Sequence, residues 1–251
     1  MSDVAPVAFE LFGVVHLVRP AGFAAANLEE LRGGLDRATP TSLFHHAFEA
    51  TLRHPAAAER PPDDFSHWVS AVVQDRETAE RLSFAVQSGA NCASELRGAL
   101  IEVLDTVPER ERIERDAPEG GEFVFLEMES VPLETGWAVG DCEALMERLA
   151  EADPSVLFYH LIEQPWLEPD LPSLVTWSRG AGEAKLAGWL IESAHDGRPL
   201  EDMRRRLLQR WKRSHLSRRL AEATLVPEQQ RREAGRRVIS SLVRRIQRPE
   251  R

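Results

Sequence analysis

Two short segments carry residue types that do chemistry at a fixed spacing. His46-x-x-Glu49 and His160-x-x-Glu163 each place an imidazole and a carboxylate three residues apart. On a helix that spacing puts both side chains on one face. Imidazole plus carboxylate is half of a metal site in helical bundles, where pairs from facing helices project inward. Two such pairs brought together would offer His46, Glu49, His160 and Glu163 to a transition metal. His45 and His16 stand close by in the first segment, but the matching positions of the second hold Tyr159 and Ser130. The same residue types suit acid–base catalysis. They also suit a plain hydrogen bond that orients a half-buried helix. All three readings are open from sequence.

Stepping the sequence by 114 residues explains why the pair occurs twice. Residues 9–49 then fall on 123–163 without a gap, with 12 identities in 41 positions, among them Phe9/Phe123, Gly22/Gly136, Pro40/Pro154 and His46/His160. A weaker match follows, with Trp68 on Trp177 and Leu96-Arg97 on Met203-Arg204. Units of about 100 residues are too long for a solenoid repeat, so we read a tandem duplication. Each copy opens on a short apolar run, FELFGVVHLV or FVFLEMESVPL, expected to be a strand. A turn is expected at Pro20-Ala21-Gly22 and at Glu134-Thr135-Gly136. Asn27 and Asp141 sit where a helix N-cap belongs. A second helix starts at Ser42 or Ser155, and Pro165 is expected to end the latter early. Asp63 or Asp64 caps the helix that carries Trp68. The fold class is therefore mostly α, an α+β chain with a minor β element, each copy one strand plus four to five helices. The expected division is residues 1–106 and 122–215 as repeat domains, 107–121 as a charged linker, and 216–251 as a basic helical tail.

The motif Asp63-Asp64-Phe65-Ser66-His67-Trp68 resembles an Asn-Asp-Phe-x-x-Trp signature, with Asp63 in place of the asparagine. With Ser42-Leu43-Phe44-His45-His46 upstream and Leu96-Arg97 downstream, it resembles an uncharacterised prokaryotic family catalogued as a domain of unknown function. Members are often seen near genes of sugar metabolism. The resemblance covers most of residues 9–105 and, more faintly, 123–213. It implies two tandem copies of the domain and carries no activity over.

The charge is unevenly divided. Residues 201–251 hold 16 Lys+Arg against 6 Asp+Glu, while the other 200 residues hold 15 against 35. An acidic body excludes nucleic-acid binding along the whole chain, because phosphate affinity needs clustered cations. Within the tail, Val238, Leu242, Val243 and Ile246 form one helical stripe flanked by Arg236, Arg237, Arg244 and Arg245. Such a helix docks on its own acidic body or in a partner's groove; nucleic acid or an anionic membrane is open to the protein only through this tail. Trp137 and Trp166 lie in or beside turns, where an exposed aromatic patch would stack on sugars or bind protein; core packing is the alternative.

No phosphate-binding glycine loop, nucleophile elbow or His-Glu-x-x-His stands in the chain. The two cysteines, Cys92 and Cys142, have no motif spacing. The N-terminus has no basic segment and no run is long enough to span a bilayer, so a cytoplasmic protein is expected. Together these features lean away from an enzyme. They point to a non-catalytic interaction or regulatory module, with a protein partner or a second copy bound through the helical repeats or the tail. No cofactor is expected. The alternative is a metal-dependent enzyme linked to carbohydrate metabolism, using the His-x-x-Glu pairs and a transition metal.

Overall fold

The computed structural model describes residues 7–53, 63–195 and 198–225. The chain divides into two compact units, Met1–Leu208 and Gln209–Arg251. The first unit is mostly helical around one antiparallel pair of strands, β1 (Phe9–Ala25) and β2 (Phe123–Val139). Among the described residues, the second unit is the continuation of helix α12 (Leu200–Leu225), in which Trp211 stacks on His215 with ring centroids 5.6 Å apart. The basic stripe Arg236–Ile246 lies outside the described residues.

After β1 come α1 (Leu28–Arg37), α2 (Pro40–Arg53), α3 (Asp64–Trp68) with a π-turn (Val69–Val73), α4 (Arg76–Gln87) and α5 (Ala93–Asp105). The short helix α6 (Glu109–Glu114) falls in the charged stretch before β2. After β2 come α7 (Cys142–Glu151), α8 (Pro154–Phe158), a π-turn (Tyr159–Glu163), α9 (Gln164–Leu167), α10 (Leu174–Gly180), α11 (Ala184–His195) and α12.

The helices begin where side chains satisfy their free amides. Asn27 accepts from Glu30 N, Asp141 from Ala144 N, Asp63 from Ser66 N and Ser173 from Thr176 N. The charged stretch is tied back to α1: Arg112 bonds Glu29 at 2.5 Å, and Asn27 donates to Asp116 at 2.8 Å. Two expectations need correction. Pro20-Ala21-Gly22 and Glu134-Thr135-Gly136 do not end their strands. Each is a bulge inside a 17-residue strand, with Gly22 at φ +85° and Gly136 at φ +72°. A residue in the left-handed region kinks the strand while the ladder resumes beyond it. Pro165 likewise does not end its helix. The missing amide of Pro165 is accommodated by the π-turn just before it, and the helix runs on to Leu167.

The strands pair from Phe9 opposite Val139 to Ala25 opposite Phe123, with His16 opposite Ser130 near the middle. One face of this ribbon lies on the helices. Leu11, Val14, Phe125 and Met128 are buried there, and α2, α8 and α1 supply the packing beneath. In the aromatic core Phe123 packs against both Phe125 and Phe65, and Phe44 packs edge-on against Phe158. The other face is open: Val15, Leu17 and Leu133 are 45%, 59% and 45% exposed.

Candidate functional site

The bulges release two strand amides from the ladder, and histidines take them up. Phe12 N donates to His160 Nε2 at 2.9 Å, beside the register shift at Leu11/Phe12. Leu126 N donates to His46 Nε2 at 3.0 Å, where its partner Pro20 begins the other shift. Phe12 and Leu126 are themselves 114 positions apart. Each histidine therefore holds the strand of the opposite segment. Both rings are buried at 3% exposure. An unpaired amide in this interior would lose a hydrogen bond's worth of free energy, about 1–3 kcal/mol.

Accepting an amide requires a ring nitrogen with a free lone pair, so His160 is neutral. Burial pushes its pKa down to about 4, against a smaller upward pull from Gln164 one turn on. His46 has both nitrogens engaged, since Nδ1 lies 2.9 Å from Asp64 Oδ2.

The His-x-x-Glu partners are not each other's bonding partners. Glu163 Oε2 lies 2.8 Å from His16 Nε2, with the two side chains 1% and 3% exposed. A carboxylate can only accept, so the ring donates. Glu49 Oε2 is 3.4 Å from His45 Nδ1. His46 and His160 grip the ribbon eight pairs apart, at the Pro20/Leu126 and Phe12/Glu134 positions. At about 3.3 Å per residue that is roughly 25 Å of strand. The structure does not bring the four predicted ligands to one point, and a shared metal centre is not assembled. The tighter grouping is one that the spacing did not indicate. Potential ligand atoms of His45, His46 and Asp64 lie within 4.8 Å of one another. An ion there would have to displace the amide or the carboxylate that already holds His46.

Two large cavities are among those beside the ribbon. One, of about 770 Å³, lies against the π-turn that carries Tyr159 and Glu163. The other, of about 690 Å³, includes His16 and Glu49 in its wall. His16–Glu163 thus links a residue of one cavity to a residue of the other. Tyr159 and Ser130, which match His45 and His16 in the second segment, both line the larger cavity. Trp166 is 9% exposed and donates to Ala90 O at 3.1 Å, so it is core. Trp137 is half-buried with Arg148 over its ring.

Residues 6–212 match the family described as "Family of unknown function (DUF5752)". The chain belongs to DUF5752. Among solved structures, this DUF5752 protein is similar to "The structure of OrfY from Thermoproteus tenax", at a TM-score of 0.67 and 24% identity over 82% of this chain and 96% of that one. That likeness establishes the shared fold. No curated protein matches the chain. None of the described helices is long and apolar enough to cross a membrane.

Proposed function

We propose that this DUF5752 protein is a non-catalytic, cytoplasmic interaction module made by tandem duplication of a helical unit. The observation that carries the reading is the use of His46 and His160 as acceptors for strand amides. The residues that looked most like chemistry are committed to holding the ribbon. The 12 identities at a fixed offset and the repeated order of strand and helices support the duplication. No cofactor is needed for this role.

The partner surface is the open ribbon face, and its occupant is a second copy of the chain. Val15 is opposite Val131, and Arg19 is opposite Glu127 on the same face. Two ribbons stacked about an axis along their length would set Val15 over Val131 and Arg19 over Glu127 of the other copy. That gives apolar and charge complementarity in one isologous contact. Light scattering on the full chain tests it. The wild type should run as a dimer, and Leu133→Asp should run as a folded monomer whose melting temperature, unlike that of the wild type, does not depend on protein concentration. A wild type that stays monomeric at every concentration would sink the self-association reading. Metal analysis tests the enzyme alternative. A stoichiometric metal, lost on His46→Ala, would replace the module by a metal enzyme.

A further inference from the structure

We propose that the larger cavity binds a linear organic cation of the alkyldiamine type, with Glu163 as its innermost anchor. The proposal does not depend on a partner or on dimerisation.

The wall carries four carboxylates, Glu127, Glu129, Glu163 and Glu168, against one cation, Arg19. Arg19 is already matched, its Nη2 lying 3.0 Å from Glu127 Oε2. Surface carboxylates alone are ordinary. Glu163 is not on the surface: it is 1% exposed, and while Oε2 is held by His16, no protein donor reaches its Oε1. Ser130 Oγ, in the same wall, is also buried without a partner. Desolvated oxygens of this kind gain most from a charged donor. An ammonium donates three hydrogen bonds and accepts none, which matches a site rich in acceptors.

The rest of the wall selects the shape. Leu17, Val18, Met128 and Leu167 add apolar residues to the same wall. A methylene chain lies against such a surface while its charged ends reach the polar groups. Tyr159, 9% exposed, presents an aromatic ring in the same wall, and a cation gains over such a face. Glu168 and Glu163 also add to burial in raising the Tyr159 phenol pKa, which marks the region as electronegative. A second ammonium would be met by Glu129 or Glu168, both exposed. A bare divalent ion would use the oxygens and leave the apolar wall without a role. A neutral polyol would leave the charge uncompensated.

Titration calorimetry of the full chain with cadaverine tests the proposal. Cadaverine should bind, and binding should weaken as salt is raised. The neutral isostere 1,5-pentanediol should not bind. Glu163→Gln should weaken cadaverine by about tenfold or more, the factor expected for one lost charge-assisted bond. Glu129→Gln and Glu168→Gln should each weaken it by a smaller factor. These two residues are exposed, so they keep the test alive if Glu163→Gln fails to fold. Leu133→Asp should still bind cadaverine, although Leu17, Arg19 and Glu127 belong both to the cavity wall and to the self-association face, because the site needs only one copy of the chain. The proposal is overturned if the wild type gives no cadaverine binding, or if pentanediol or calcium chloride binds as well. Gln variants that are folded and bind like the wild type would overturn it too.

Discussion

Acid should loosen the ribbon at His160. The ring accepts the Phe12 amide at 2.9 Å, and only its neutral form can do so. Its pKa is pushed from 6.5 down to about 4, chiefly by burial. A base with a lowered folded pKa binds fewer protons when folded than when unfolded, across the window between the two values. Its contribution to stability is intact above about pH 6.5 and shrinks as the pH falls toward about 4. At 1.36 kcal/mol per unit, the full loss is about 3 kcal/mol. About 2.5 kcal/mol of it has gone by roughly pH 4.5. Urea melts of wild type and His160→Gln at a series of pH values isolate this effect. The glutamine oxygen can accept the same amide but never ionises, and every other titrating group is shared. The wild-type advantage over the variant should therefore shrink by about 2–3 kcal/mol between roughly pH 7.5 and 4.5. Parallel stability curves would refute the reasoning, because they would mean that the ring does not titrate differently in the folded state.

Two further substitutions probe the helices that hold the ribbon. Gly34 lies in α1 where an added Cβ would overlap the ring of Phe125, itself fully buried. Gly34→Ala should destabilise by about 1–3 kcal/mol in a thermal or urea melt, although alanine is the better helix former by about 1 kcal/mol. Gly33→Ala, with open space at its Cβ, is the control and should be neutral or stabilising. Asp63 caps α3 from a buried site, and its pKa is raised by burial against the pull of its bonds to Ser66. Asp63→Ala should cost about 1 kcal/mol. Asp63→Asn should cost nothing at neutral pH, since it keeps the cap and removes the desolvated charge; a large loss would show that the charge itself is needed.

Much of the scaffold was legible because its causes are local. Asn27, Asp63 and Asp141 cap helices through bonds to amides three residues away, and such bonds leave a mark in the sequence. The apolar runs at Phe9 and Phe123 marked where the strands start. Their full length did not show, because it depends on pairing over more than 100 residues, which lets the ladder continue past Gly22 and Gly136. The histidines show the same limit. The i,i+3 spacing placed His46 and Glu49 on one helix correctly, but a ring nitrogen bonds whatever the fold brings to it. For His46 that was Leu126 and Asp64, and for Glu163 it was His16. No spacing rule covers a partner 147 residues away. The cavity was illegible for the same reason, since its wall joins both strands to the start of α2 and to the π-turn.

The motif residues behind the family resemblance turn out to do mechanical work. Asp63 caps α3, Phe65 stacks on Phe123 at 5.4 Å, and Trp68 Nε1 donates to Gly121 O at 2.7 Å. Together they clamp α3 to the start of β2. His46 then fixes Leu126, three residues further along the same strand. Leu96 is fully buried, and Arg97 donates to Leu35 O at 2.9 Å and Ala38 O at 2.5 Å. Those carbonyls end α1, where the helix has no amides of its own left to offer. A planar guanidinium can bond both at once, and a lysine's single ammonium is poorly suited to that fork. Arg204 reaches Ala152 O beyond α7 in the same way, at 2.6 Å. These residues describe how the ribbon is gripped. The binding proposed above falls to other residues: the open face around Val15 and Val131, and the acidic wall around Glu163.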